Sequence, residues 1–196
     1  IAGLQMASLA LQGLASRGPS SSAFIAAFAG DDRYIMDYLV EEVLQRQPET
    51  VQSFLLQTSI LERLTAALCD AVTRRADGQA MLERLEHNNL FIFPLDTRRQ
   101  WYRYHHLFAE LLRHRLHSQV SPHDLTALHR RAAEWYEANG MAAEAIDHAL
   151  KAPDVERAVR LIEQNAVETL RRNEIETLLA WLERLAAEVL RARPVL

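Results

Sequence analysis

LFIFPLDTRRQWYRYHHLFAELLRHRLH, residues 90–117, is the stretch whose reading decides the fold. LFIFPL (90–95) and WYRY (101–104) are the strong strand signals of the chain, each a short run of aromatic and branched residues. The polar turn DTRRQ joins them, so the two runs form a single hairpin. In WYRY, Tyr102 and Tyr104 point one way and Trp101 and Arg103 the other, because side chains alternate along a strand. Two adjacent histidines, His105 and His106, then lead into a helix whose Leu107, Phe108, Leu111 and Leu112 face a core.

Upstream of the hairpin the periodicity is helical. PETVQSFLLQTSI starts at Pro48 and turns Val51, Phe54, Leu55 and Ile60 inward. TAALCDAV and GQAMLERLEHN follow, separated by TRRAD. Three helices, a β-hairpin and a further helix are the parts of a winged-helix domain with the hairpin as its wing. Earlier still, Leu4, Leu11 and Leu14 mark an apolar stripe that ends at SRGPSSS. Phe24, Ile25 and Phe28 then recur at helical spacing up to Gly30, and Asp31 or Asp32 is placed to cap the helix YIMDYLVEEVLQRQ.

From about Ser121 the pattern changes to paired helices without strands. Ser121 and Pro122 open a helix with Leu125, Leu128, Ala132 and Trp135 on one stripe, and Gly140 stops it. MAAEAIDHALKA, DVERAVRLIEQNAVETLRR and IETLLAWLERLAAEVL complete the set. Alanine-rich pairs with a Trp-Tyr and a turn glycine resemble tetratricopeptide units. Trp135 and Trp181 lie 46 residues apart, which departs from the 34-residue period of that repeat, so the expected form is an irregular helical solenoid. The expected fold is therefore mainly α: a winged-helix domain with one β-hairpin followed by a tetratricopeptide-like helical solenoid. The first helix is already under way at residue 1 and the last has no partner, which reads as a fragment of something longer.

Composition narrows the function. Across 196 residues, 22 basic against 26 acidic side chains give a net charge of −4, without the basic excess that clamps phosphate backbones. Residues 61–104 carry seven arginines and six acids, and GQAMLERLEHN has one Arg against two Glu. A groove-reading helix shows a basic face, so direct nucleic-acid binding is not expected. The single cysteine, Cys69, lies in the apolar run LTAALCDAV and reads as a buried thiol in a reducing compartment. Nothing approaches the ~20 apolar residues that span a bilayer, so a cytoplasmic chain without membrane contact is expected.

Three local patterns imitate sites. GLASRGPS (13–20) imitates the phosphate loop G-x-x-x-x-G-K-[ST], but Pro19 stands where Lys must meet phosphate, and no strand precedes it. His106 with Glu110, and His114 with His117, are one helical turn apart, as metal ligands can be. No third or fourth ligand stands at suitable spacing, so no metal is expected. No Ser, Cys or Asp sits in a nucleophile motif, so the chain is expected to be non-catalytic.

RYIMDYLVEEVLQRQPETVQSFLLQTSILERLTAALCDAV, then LERLEHNNLFIFPLD, then WYRYHHLFAELLRHRL, resemble in order the middle of MalT-like, LuxR-family ATP-dependent transcriptional regulators. The opening AGLQMASLAL resembles the end of their nucleotide-binding module. The resemblance implies three parts: residues 1–30 as the last helices of that module, 31–119 as the winged helix, and 120–196 as the start of a helical repeat sensor. It also implies a phosphate-loop ATPase upstream and a LuxR-type helix-turn-helix downstream. ADP or ATP would belong to the full-length protein, with no cofactor in this segment. The partners it implies are the chain's own upstream nucleotide-binding domain, an inducer or inhibitory protein on the repeats, and ATP-dependent self-association of the whole.

The same resemblance gives His105 a role. In related signal-transduction ATPases a Met-His-Asp motif in the winged helix reaches the β-phosphate of ADP and holds the resting state. Tyr104, His105 and His106 stand in its place, with His106 where the acid would be. His105 is thus either the nucleotide-sensing residue or a helix cap packed under Trp101. The corresponding functions are a regulatory segment that couples nucleotide state to a sensor, and a helical adaptor that only binds proteins.

Overall fold

The computed structural model describes residues 43–192. The expectations for the Leu4 stripe, the GLASRGPS loop, the helix around Phe24, the Asp31 or Asp32 cap and most of YIMDYLVEEVLQRQ lie outside these residues. The chain divides into two compact units, with the division between Gln119 and Val120.

In the first unit, helices α1 (Glu49–Thr58), α2 (Ala66–Thr73) and α3 (Gly78–His87) precede strands β1 (Ile92–Pro94) and β2 (Tyr102–Tyr104) and helix α4 (His106–Gln119). The starts of the first three helices have identifiable causes. Pro48 fixes the entry to α1, and its carbonyl accepts from the Gln52 amide at 3.0 Å. Thr65 caps α2, its hydroxyl accepting from the Leu68 amide at 3.2 Å. At α3 the cap comes from a neighbouring helix: Asp70 Oδ1 accepts from the Gly78 amide at 2.8 Å. Gly78 is required there, because a Cβ would stand 2.6 Å from the Ala66 carbonyl oxygen.

The hairpin is shorter on its first side than the apolar run implies. LFIFPL was expected to be extended from Leu90, but pairing begins at Ile92. Phe91 adopts φ 53°, which breaks the strand before it starts and turns the Phe91 ring onto Phe108, with centroids 5.4 Å apart. The register pairs Ile92 with Tyr104, Phe93 with Arg103 and Pro94 with Tyr102. On its other edge, Tyr102 exchanges two backbone hydrogen bonds with Leu64, at 2.8 and 2.9 Å. β2 is therefore paired with β1 on one edge and held by a single bridge to Leu64 on the other. The expected alternation holds: Tyr102 and Tyr104 are buried, and Arg103 is exposed.

The core beneath the sheet collects Val51, Phe54 and Leu55 of α1, Leu68 and Val72 of α2, Leu82 and Leu85 of α3, and Phe108 and Leu112 of α4. Each such side chain contributes roughly 1.5–3 kcal/mol on leaving water. Cys69 is buried among them, and burial pushes its thiol well above the usual range. The wing turn is organised by one side chain. The Asp96 carboxylate accepts from the amides of Arg98 (2.8 Å), Gln100 (3.2 Å) and Trp101 (2.7 Å).

The second unit holds α5 (Pro122–Ala138), α6 (Ala142–Lys151), α7 (Val155–Arg171) and α8 (Ile175–Ala192). Successive helices pack on one another, and α6 also meets α8, as in a helical repeat. Ser121 caps α5 through the Asp124 amide at 3.1 Å, with Pro122 in its first turn. Gly140 ends it at φ 72°, and the next amide, Met141, donates back to the Tyr136 carbonyl at 2.9 Å. The inward stripe of α5 is rotated from the expected one. Leu128, His129, Ala132, Ala133 and Tyr136 are buried, whereas Leu125 and Trp135 are only half-buried. Small Ala132 and Ala133 let α6 approach along their side of the helix, and that close contact, rather than the largest ring, sets the face.

Candidate functional site

His105 occupies the single residue between the end of β2 and the start of α4. Its backbone is held from both sides. The His105 amide donates to the Phe91 carbonyl at 2.7 Å, and its carbonyl accepts from the Ala109 amide at 2.9 Å, the first bond of α4. That bond makes the His105 carbonyl the first acceptor of the α4 ladder. The expected stacking partner is different, however. The His105 ring lies 6.2 Å from Phe93 and 4.4 Å from His106, while the face of Trp101 carries the Arg63 guanidinium at 5.7 Å.

The His105 ring is half-buried, and its Nδ1 is shielded from solvent without a hydrogen-bond partner. Burial chiefly, then the positive charges of His106 and Arg103, hold its pKa below the ordinary histidine value. The imidazole is therefore neutral at pH 7. The first turn of α4 carries no acid, so the helix N-terminus, with its unpaired amides and positive dipole end, is uncompensated by a side-chain carboxylate. A neutral ring with an unsatisfied nitrogen beside such an end can donate to an anionic oxygen.

The other candidate residues are not gathered into a site. His106, Glu110, His114 and His117 are all exposed on α4. Among the described residues no group of three or more His, Cys, Asp or Glu is placed to hold a metal. On the wing, Arg99 is drawn back to Glu86 of α3 at 3.3 Å. α3 exposes Gln79, Glu83, Arg84 and His87, a mixed surface.

Sequence reasoning missed one buried polar cluster. His129 of α5 and His148 of α6 face each other with their Nδ1 atoms 2.9 Å apart, and Tyr136 lies against His148. The signal available was two histidines on alanine-rich helical stripes, which does not distinguish a wet face from a buried one.

Comparison with known proteins gives this arrangement a family. Residues 40–124 match the model of the MalT winged helix domain. That span holds the three helices, the hairpin with its Asp96-bound turn, and His105 at the strand-to-helix junction. Residues 40–124 are a MalT winged helix domain. The MalT likeness extends along the chain. The HTH-type transcriptional regulator MalT of Yersinia pestis (strain Pestoides F) is 38% identical over 191 residues, covering 96% of this chain and 21% of that protein. The serine/threonine-protein kinase PknK of Mycobacterium tuberculosis (strain ATCC 25618 / H37Rv) is 35% identical over 192 residues, covering 98% of this chain and 17% of the kinase. The chain thus spans about a fifth of the length of these curated relatives. The winged helix and the helices after it are accordingly a segment shared with much longer proteins, among them the MalT transcriptional regulators. No helix among the described residues is long and apolar enough to cross a membrane.

Proposed function

We propose that this chain is the regulatory inner segment of an ATP-dependent transcription regulator. In this reading the winged helix passes the state of a bound nucleotide to the helical repeats, where an inducer or inhibitory protein is received. Residues 1–30 complete the nucleotide-binding module, 31–119 form the winged helix, and 120–196 begin the sensor. His105 contacts the β-phosphate of ADP. No catalytic step is assigned to this segment.

One observation carries the reading: the His105 Nδ1 is buried without a partner at the N-terminus of α4. Leaving a buried donor or acceptor unpaired costs about 1–3 kcal/mol, and a phosphate oxygen would remove that cost. The contact biases the protein towards a resting state only if it is stronger there than in the active state. With His106 in place of an acid, the ring is oriented by the backbone clamp from Phe91 and Ala109 and by its neighbours Phe93 and His106.

The test uses the full-length protein. It is purified, denatured, and its released ADP compared with that of His105→Ala. ADP retained by the parent and lost in the variant is the expected result. Equal ADP in both reduces His105 to a packing residue. No nucleotide in either protein favours a second reading, a helical adaptor. That reading draws on a specific feature of α7 and α8: Val167, Leu170, Ile175, Leu179 and Leu182 are exposed, Val167 the most at 62%. Ile175, Leu179 and Leu182 share one side of α8 by their spacing, a surface suited to a protein partner.

A further inference from the structure

The second unit repeats itself. A shift of 33 residues carries α5 (Pro122–Ala138) onto α7 (Val155–Arg171), and the start of α6 at Ala142 onto the start of α8 at Ile175. The local devices move with it. Ser121 caps α5 through the Asp124 amide, and Asp154 caps α7 through the Arg157 amide. Gly140 at φ 72° becomes Asn173 at φ 60°. The bond from the Met141 amide to the Tyr136 carbonyl, 2.9 Å, becomes that from Glu174 to Thr169, 3.1 Å. The period is thus carried by caps and turns rather than by the tryptophans. Each residue of the α5–α6 hairpin has a counterpart in α7–α8.

The counterparts differ on one side only. Ala145 and His148 of α6 are buried, and their counterparts on α8, Leu178 and Trp181, are half-buried and buried. Ile146 and Ala149 are also buried, both at 0%, whereas Leu179 and Leu182 are exposed at 53% and 45%. The difference falls on the side that later helices cover: α7 and α8 both pack on α6, and among the described residues no helix follows α8 to do the same. The first helices of the two hairpins show it too. Glu134 and Glu137 of α5 meet Arg157 of α7, at 3.4 and 2.7 Å, while their counterparts Val167 and Leu170 are exposed.

We propose that the α7–α8 hairpin is the seat of a further helix that follows α8 in the same polypeptide. This helix packs on the hairpin as α7 packs on α5–α6, and meets Val167 and Leu170 with apolar side chains where α7 brings Arg157. The proposal needs neither nucleotide nor any role for His105.

The source is intramolecular because the contact it continues is so: α6 is covered by helices that come after it in the chain. The similar MalT regulator also extends well beyond the 21% of its length that this chain covers. α8 runs on to Ala192, past Arg184 where the shift places the end of α6, so the covering helix starts later than a strict step of 33 residues would put it. Its chemistry follows from the counterparts. An arginine set against Val167 and Leu170 would lose water with no carboxylate to meet it, whereas an apolar side chain is stabilised by leaving water.

The experiment is thiol labelling at introduced cysteines, read site by site by mass spectrometry. Cys69 is buried and does not compete. Leu179→Cys is compared with Glu176→Cys, whose counterpart Ala143 stays exposed in the covered hairpin. In this chain the two sites are expected to label alike. In the full-length protein Leu179→Cys is expected to label about tenfold or more slowly than Glu176→Cys, at every protein concentration. Equal rates in the full-length protein overturn the proposal and leave the face to an external partner. Protection that disappears on dilution also overturns it, because the cover is then a second copy. Val167→Glu, added to Leu179→Cys, tests the chemistry: labelling about fivefold faster or more is expected. Unchanged or slower labelling would mean that the covering helix brings a cation, and removes the apolar assignment. Should Leu179→Cys itself disturb the fold, Leu182→Cys is the second probe and is read in the same way.

Discussion

The Tyr104 hydroxyl on β2 and the Thr58 hydroxyl on α1, 46 residues apart in the chain, lie 2.7 Å from each other inside the core. Thr58 also donates to the Phe54 carbonyl at 2.7 Å. Thr58 thus spends its one proton on Phe54 and accepts from Tyr104, so the strand is tied to the helix through a two-step chain. The two ends of this chain are not equivalent. Tyr104→Phe leaves Thr58 still donating, and is expected to cost about 1 kcal/mol. Thr58→Val keeps the shape but strands a fully buried Tyr104 hydroxyl, and is expected to cost about 2–3 kcal/mol. Urea unfolding of both variants checks the order; a larger loss for Tyr104→Phe would contradict the donor assignment.

Gly78 inverts the usual helix preference. Alanine in a helix is favoured over glycine by about 1 kcal/mol, yet a Cβ here meets the Ala66 carbonyl oxygen at 2.6 Å and Asp70 Oδ1 at 2.9 Å. The first obstacle is backbone and cannot swing away. Gly78→Ala is expected to destabilise the first unit by about 1–3 kcal/mol. Asp70→Ala, which removes only the cap on the Gly78 amide, should cost about 1 kcal/mol. Thermal unfolding midpoints of the two variants measure both effects.

These two sites also mark how far the sequence could be read. The hairpin was legible because Tyr102 and Tyr104 alternate with Arg103, and alternation is a local property of the strand. Ser121, Pro122 and Gly140 were legible for the same reason: a cap or a stop acts on its own neighbours. The Tyr104–Thr58 bond and the His129–His148 pair were not, because each depends on the rotation of a helix that the pattern defines only within a broad apolar face. Trp135 shows the size of that uncertainty, since the adjacent Tyr136 is buried in its place. His105 was placed at the strand-to-helix junction from the sequence. Its shielded Nδ1 was not, because the shielding comes from how the chain folds around the junction.

Asp96 governs the wing alone. Its carboxyl is held below the usual carboxylate range by the amides of Gln100 and Trp101 first, then that of Arg98. A depressed folded value means that the bonds are intact above the unfolded range near about 3.9 and are lost as pH falls through the folded value. Asp96→Ala removes both acceptor oxygens and with them all three hydrogen bonds. The expected outcome is faster amide exchange at Arg98, Gln100 and Trp101, with the global unfolding midpoint little changed because the turn is exposed. Asp96→Asn keeps one acceptor oxygen and should fall between the two. A wing equally protected in the alanine variant would show that strand pairing alone holds the turn.

Arg157 is the corresponding organiser of the second unit. Its Nε bonds Asp154 at 3.1 Å, Nη1 bonds Glu137 at 2.7 Å, and Nη2 reaches Glu134 at 3.4 Å, which joins α7 to α5. Arg160 reaches the other oxygen of Glu137 at 2.7 Å. Single exposed ion pairs are worth little, but a guanidinium that meets three carboxylates, with 20% of its side chain exposed, does more than screen one charge. Arg157→Ala leaves those acids facing one another, and the loss is expected at about 1–2 kcal/mol. Arg157→Lys restores the charge without the planar fork and should recover only part of it. Arg160 continues to hold Glu137, so Arg157→Ala and Glu137→Gln together should cost less than the sum of the two single changes. A full double-mutant cycle in low salt, repeated in about 1 M salt where screening is short-ranged, separates the charge contribution from the packing of the arginine stem. A coupling that is zero in low salt would mean that the Arg157–Glu137 pair contributes nothing to holding α7 to α5.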